Sequence, residues 1–86
     1  MSISDNLLEY YREGKIRFDM YLRNVTDKQL LVNYLQSMDL LISNQKQKIM
    51  DNPQDVGLKR GLEHMNYVRE KVWVRHNQIN KGGLYQ

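Results

Sequence analysis

A chain of 86 residues has room for one domain with a small core, because a chain this short buries only roughly 60–65% of the surface its unfolded form exposes. It holds no cysteine, so neither disulfides nor thiolate metal sites supplement that core, and a reducing compartment is permitted. The formal charge of +3 and pI near 9.3 arise from cations and acids mixed along the whole chain, which is weak evidence for a nucleic-acid partner.

The uninterrupted apolar runs, such as Leu40-Leu41-Ile42, reach three residues, far short of a membrane span, and the start lacks a charged-then-apolar signal pattern. The expectation is an intracellular, cytoplasmic protein with no membrane partner. Alanine is absent while Asn, Gln, Lys, Ile and Tyr abound, a bias that points to an AT-rich genome, a low-GC bacterium or one of its viruses.

The first segment predicts a helix over about 4–24. Ser2 or Ser4 can cap it, and Asp5 and Glu9 suit the positive end of the helix dipole. Ile3, Leu7, Tyr10, Tyr11, Phe18, Tyr21, Leu22 and Val25 fall on one side of a helical wheel, with Gly14 in the middle. Glu13 with Arg17 and Asp19 with Arg23 are helix-stabilising pairs four apart. A strand competes over residues 15–23, because Ile16, Phe18, Met20 and Leu22 alternate with Arg17, Asp19, Tyr21 and Arg23.

The second helix is expected over about 27–50. Thr26 reads as its N-cap, Gln29 stands at the capping-box position, and Val25 with Leu30 form a hydrophobic staple. Leu30, Leu31, Tyr34, Leu35, Met38, Leu41, Ile42 and Ile49 recur at three and four and line one face. Asn52 and Pro53 read as the start of a third helix over about 53–80, since asparagine caps and proline is tolerated at the first helical position. Its stripe is Leu58, Leu62, Met65, Val68, Val72, Trp73 and Ile79. Lys81-Gly82-Gly83 reads as its stop, with a tail over 81–86 that folds back on the last turn. Gly57 and Gly61 make a small-xxx-small spacing, a weak signal of close helix contact outside a membrane. The fold expected is all-α: a long antiparallel helical hairpin plus an N-terminal helix, a three-helix bundle with coiled-coil-like packing.

Enzyme chemistry finds little to stand on. His64 and His76 are twelve apart on one helix, roughly 18 Å along its axis, too far to share a metal within one chain. No HExxH, paired thiolates, phosphate-binding glycine loop or elbow serine occurs. Glu9 and Glu13 lie one turn apart without a Glu-x-x-His companion and read as solvated charges. No catalytic residue, metal site or cofactor is expected. Gln36-Ser37-Met38-Asp39-Leu40-Leu41-Ile42 resembles part of the Ser-Gln-Glu-Leu-Asp-x-Leu-Ile signature of small helical-hairpin phosphatases that act on response-regulator aspartyl phosphates. The resemblance implies that Asp39 would be the signature acid. Leu35 stands where that family has serine and Ser37 where it has glutamate, and the likeness covers seven residues.

Apolar residues in excess of one stripe per helix carry the functional reading. Val56, Tyr67 and Val74 project nearly opposite the core side of the third helix, bordered by Arg60, His64, Lys71 and Gln78. On the second helix Leu40 points away from the stripe, with Val32 and Met50 at its flank, and on the first, if helical, Ile16 and Met20 do the same. Arg69 and His76 fall on the core stripe beside Trp73, and an enclosed Arg69 would require an acidic partner. The expected binding set is Tyr67, Val74, Arg69, Trp73 and His76. They point to a non-enzymatic protein–protein interaction module that self-associates and serves as adaptor, structural component or inhibitor of a larger partner; a viral accessory protein fits this description. The alternative is nucleic-acid binding by Arg60, His64, Lys71, Arg75 and Lys81 on the last helix. Under the strand reading, the order strand, helix, helix resembles that of ribbon-helix-helix repressors.

Overall fold

The computed structural model describes the backbone of residues 3–85 and the side chains of residues 6–79. The described chain is all-α and contains four helices: α1 Ile3–Glu13, α2 Lys15–Asn24, α3 Lys28–Asp51 and α4 Val56–Tyr85. The strand considered for residues 15–23 is helix α2, and the single N-terminal helix expected over 4–24 is two helices that break at Gly14. No helix among the described residues is long and apolar enough to cross a membrane.

Packing explains the break better than backbone strain does. Gly14 sits in an extended conformation open to any residue, and a Cβ added there would meet nothing within 4 Å. Its contribution is its poor helix propensity, about 1 kcal/mol below alanine. In one straight helix Tyr10 and Tyr21 would stand roughly 16 Å apart along the axis. Instead their rings stack at 4.8 Å, and Tyr11 meets Phe18 edge-on at 5.7 Å, so α1 and α2 fold back on each other. This fold-back buries Leu7, Leu8, Phe18 and Leu22 in one core with α3 and α4, which a straight helix could not do.

Two helix starts differ from expectation by their caps. Asp27, not Thr26, is the N-cap of α3: its carboxylate accepts from the N–H groups of Gln29 at 3.0 Å and Leu30 at 3.2 Å. Such a cap contributes about 1 kcal/mol. Asn52 closes α3 instead of opening α4, with its N–H on the carbonyls of Lys48 and Ile49. Pro53 and Gln54 turn the chain, and Asp55 caps α4 through the Leu58 N–H at 3.2 Å. Ser2 lies outside the described residues and Ser4 is inside α1. The Lys81-Gly82-Gly83 stretch read as a stop lies within α4, which runs on to Tyr85.

Helices α3 and α4 lie side by side in opposite directions: Gln45 meets Leu58 and Gly61, Asp39 meets Arg69, and the Val25 carbonyl just before α3 meets Arg75. Leu31, Tyr34, Leu35, Met38 and Ile42 of α3 face Met65, Val68 and Val72 of α4. Gln45, the one polar residue among the buried ones described, donates its amide to the Leu58 carbonyl at 2.8 Å. Gly61 makes room for it, because a Cβ there would stand 2.9 Å from the Gln45 Nε2. The resulting body measures 50 × 22 × 21 Å. Its length is that of α4, whose 30 residues span about 45 Å.

Candidate functional site

The α3–α4 pair has two flanks, and helical spacing sorts the residues expected to function onto one or the other. On the flank where α1 and α2 pack, Tyr67 is half-buried beneath Tyr11, whose ring lies 5.2 Å away. The wheel of α4 alone puts Tyr67 outside; the docking of α1 is what covers it. His64 approaches the same Tyr11 edge-on at 5.5 Å. The Nζ atoms of Lys15 and Lys71 each stand 5.4 Å from the Tyr67 ring centre. Lys15 opens α2, whose first turn has neither an acid nor a side-chain cap, so its charge stands against the helix dipole.

Further along this flank Arg75 donates from Nε at 3.1 Å and from a terminal nitrogen at 2.9 Å to the Val25 carbonyl. Val25 is the C-cap of α2, so this guanidinium, expected to face nucleic acid, ties the end of α2 to α4. Val74 is exposed near a hollow that it borders with Asp19, Leu22, Arg23, Lys71 and Gln78. Arg60 is exposed, and the side chain of Lys81 lies outside the described residues. Deeper in, the hydroxyls of Tyr21 and Tyr34 are hydrogen-bonded. Burial, reinforced by that bond, pushes the Tyr34 hydroxyl well above the ordinary tyrosine range.

The opposite flank is bare. Arg69 binds the Asp39 carboxylate through Nε, so α3 supplies the acid that Arg69 was expected to need. That same contact engages the acid singled out by the phosphatase resemblance. With side chains 37% and 56% exposed, the pair is solvent-screened and contributes little to stability. One turn along α4, Trp73 stacks on His76 with ring centres 5.7 Å apart. The helical spacing puts Trp73 on the core stripe, yet it is 46% exposed. At 100° per residue it lies about 140° round α4 from Val68, beyond the edge of the buried face. Val32 and Leu62 are half-buried, and Leu40, at the crest of α3, is 66% exposed.

Among the described residues no group of three or more His, Asp or Glu side chains could hold a metal ion. The two histidines are separated by their neighbours as well as by distance, His64 on Tyr11 and His76 on Trp73. A groove of about 630 Å³ between α1 and α3 is floored by Leu8, Leu41 and Met65 and rimmed by Glu9, Arg12 and Lys48. Arg12 there is taken by Glu9 at 3.4 Å. Compared with protein-family models, with curated proteins and with solved structures, the chain matches none.

Proposed function

We propose that this chain is a non-enzymatic protein–protein interaction module that self-associates through the bare flank of α3–α4, and that its work is that of an adaptor, structural component or inhibitor. The observation that carries the reading is the Trp73–His76 stack, whose tryptophan is left 46% exposed beside the Asp39–Arg69 pair. Tryptophan and arginine are the residues that most often carry interface energy. Val32, Leu62 and Leu40 extend the apolar area on either side. The pair of charges makes the flank self-complementary, since a two-fold axis through it sets each Arg69 against the other copy's Asp39. Tyr67, half covered within its own chain, is no longer central to this surface. A cysteine-free chain of this kind suits the cytoplasm.

Light scattering over a range of concentrations tests the proposal. The expected outcome is a discrete oligomer that Trp73→Ser converts to monomer with its helical circular dichroism unchanged. A wild-type chain that stays monomeric at every concentration sinks the self-association, and an oligomer indifferent to Trp73→Ser sinks the assignment of the face.

A further inference from the structure

Tyr67 gathers more positive charge than its packing calls for. One cation over an aromatic ring is an ordinary stabilising contact. A second brings like charge beside the first and cancels part of the gain. Here the ammonium groups of Lys15 and Lys71 both stand 5.4 Å from the ring centre, so they are separated by no more than twice that distance. They come from two helices, and among the described residues neither is in an ion pair. His64 lies beside the adjoining Tyr11, and exposed Arg60 follows one turn away on α4. Of the nearby acids, Glu13 is taken by Arg17 at 3.7 Å, Asp19 borders the neighbouring hollow with Arg23, Lys71 and Arg75, and exposed Glu63, one turn before Tyr67, offsets one of the cations.

We propose that Lys15 and Lys71, flanked by His64 and Arg60, form a contact site for the phosphodiester backbone of nucleic acid. The Tyr67 ring already holds Tyr11 at 5.2 Å and two ammonium groups at 5.4 Å, neighbours that a stacking base would have to displace. The contact is therefore to phosphates and indifferent to sequence. Lysine suits it as a compact charge with three rotatable donors. The separation of the two ammonium groups falls within the reach of two or three phosphates, which follow each other at about 3.4 Å of rise along a strand. An acidic peptide is favoured less: carboxylates are best held by a forked guanidinium, whereas two ammonium groups make the centre of this site, Arg75 is committed to the Val25 carbonyl and Arg60 stands at the edge. The site draws Lys15 from α2, which no reading of the last helix by itself brings in. It lies on the flank opposite Trp73, so it and the self-association stand or fall separately.

Fluorescence anisotropy of a labelled duplex of arbitrary sequence, titrated with the full chain between about 50 and 200 mM salt, tests the site. Wild type is expected to bind with affinity that falls as salt rises. Lys15→Gln with Lys71→Gln should weaken binding about tenfold at the low-salt end and reduce the log–log salt slope by about two. Lys15→Arg with Lys71→Arg, which keeps the charge and the ring contacts, should restore it. If the double glutamine variant melts early, each single variant replaces it, with an expected slope change of about one. Three results overturn the proposal. Wild type could fail to bind. The charge-matched Lys46→Gln with Lys59→Gln could lose as much, which would reduce the effect to the attraction of a +3 chain. Polyglutamate could compete as well as unlabelled duplex, which would give the site to an acidic protein.

Discussion

On the flank where α1 and α2 pack, polar head groups tie α2 to both long helices. Arg75 crosses to the Val25 carbonyl, Tyr21 to Tyr34, and Lys15 to Tyr67. On the bare flank, Asp39 with Arg69 and Trp73 with His76 make contacts of similar closeness, but they involve only α3 and α4 and stay open to water. The two flanks therefore hold comparable residue types with different consequences. Where burial has removed solvent, a lost partner leaves a desolvated group behind, and the loss registers as stability. Where water is at hand, the same loss costs the fold little and is felt only by whatever binds there.

The comparison breaks first at Phe18, fully buried where α1 and α2 fold back. Phe18→Ala should cost about 3–5 kcal/mol, a large share of the roughly 5–15 kcal/mol that holds a small domain together. The denaturation midpoint should collapse. A small shift would mean that α1 and α2 add little to a core that α3 and α4 already complete.

Arginine tests the same contrast with side chain and helix held constant. Arg75→Met removes two charge-assisted bonds to the Val25 carbonyl and should cost about 1.5–3 kcal/mol. Arg69→Met breaks a solvent-screened pair and should cost under about 1 kcal/mol. Urea midpoints of the two variants that coincide would abolish the distinction between the flanks.

Sequence periodicity placed the stripe of α3 well: Leu31, Tyr34, Leu35, Met38 and Ile42 recur at three and four and are all buried. It failed where a partner leaves no trace in side-chain pattern. Gln45 reads as solvated until the Leu58 carbonyl is seen beside it, and Arg75 reads as a surface charge until the Val25 carbonyl, 50 residues away, is seen to need it. Leu8 was missed and Tyr10 overvalued because a straight first helix has one apolar stripe, whereas the fold-back at Gly14 gives α1 its own. Thr26 and Asp27 are both good caps on adjacent residues, and only the backbone geometry selects between them. The candidate surfaces were legible as a surplus of apolar and basic residues. Their division into flanks was not, because it is set by where α1 and α2 dock.

The smallest expected effect is the most selective probe of the covered flank, because it isolates one proton. Tyr34 is buried and its hydroxyl is raised above the ordinary value of 10.0, chiefly by desolvation and next by the bond to Tyr21. Above about pH 10 the unfolded chain sheds this proton while the folded chain keeps it, so the folded state binds more protons than the unfolded one. Stability is then fully present below pH 10 and declines as pH rises further toward the raised folded value, with a slope of up to about 1.4 kcal/mol per pH unit. Tyr34→Phe should cost about 0.5–1.5 kcal/mol at neutral pH, because it takes the hydroxyl partner from Tyr21. It should also flatten the alkaline decline, so that urea midpoints of variant and wild type converge as pH climbs past 10. Parallel curves would mean that water reaches the Tyr34 hydroxyl in the folded protein. The contact between α2 and α3 would then be as open as the bare flank, and the contrast between the two sides would rest on Phe18 and Arg75 alone.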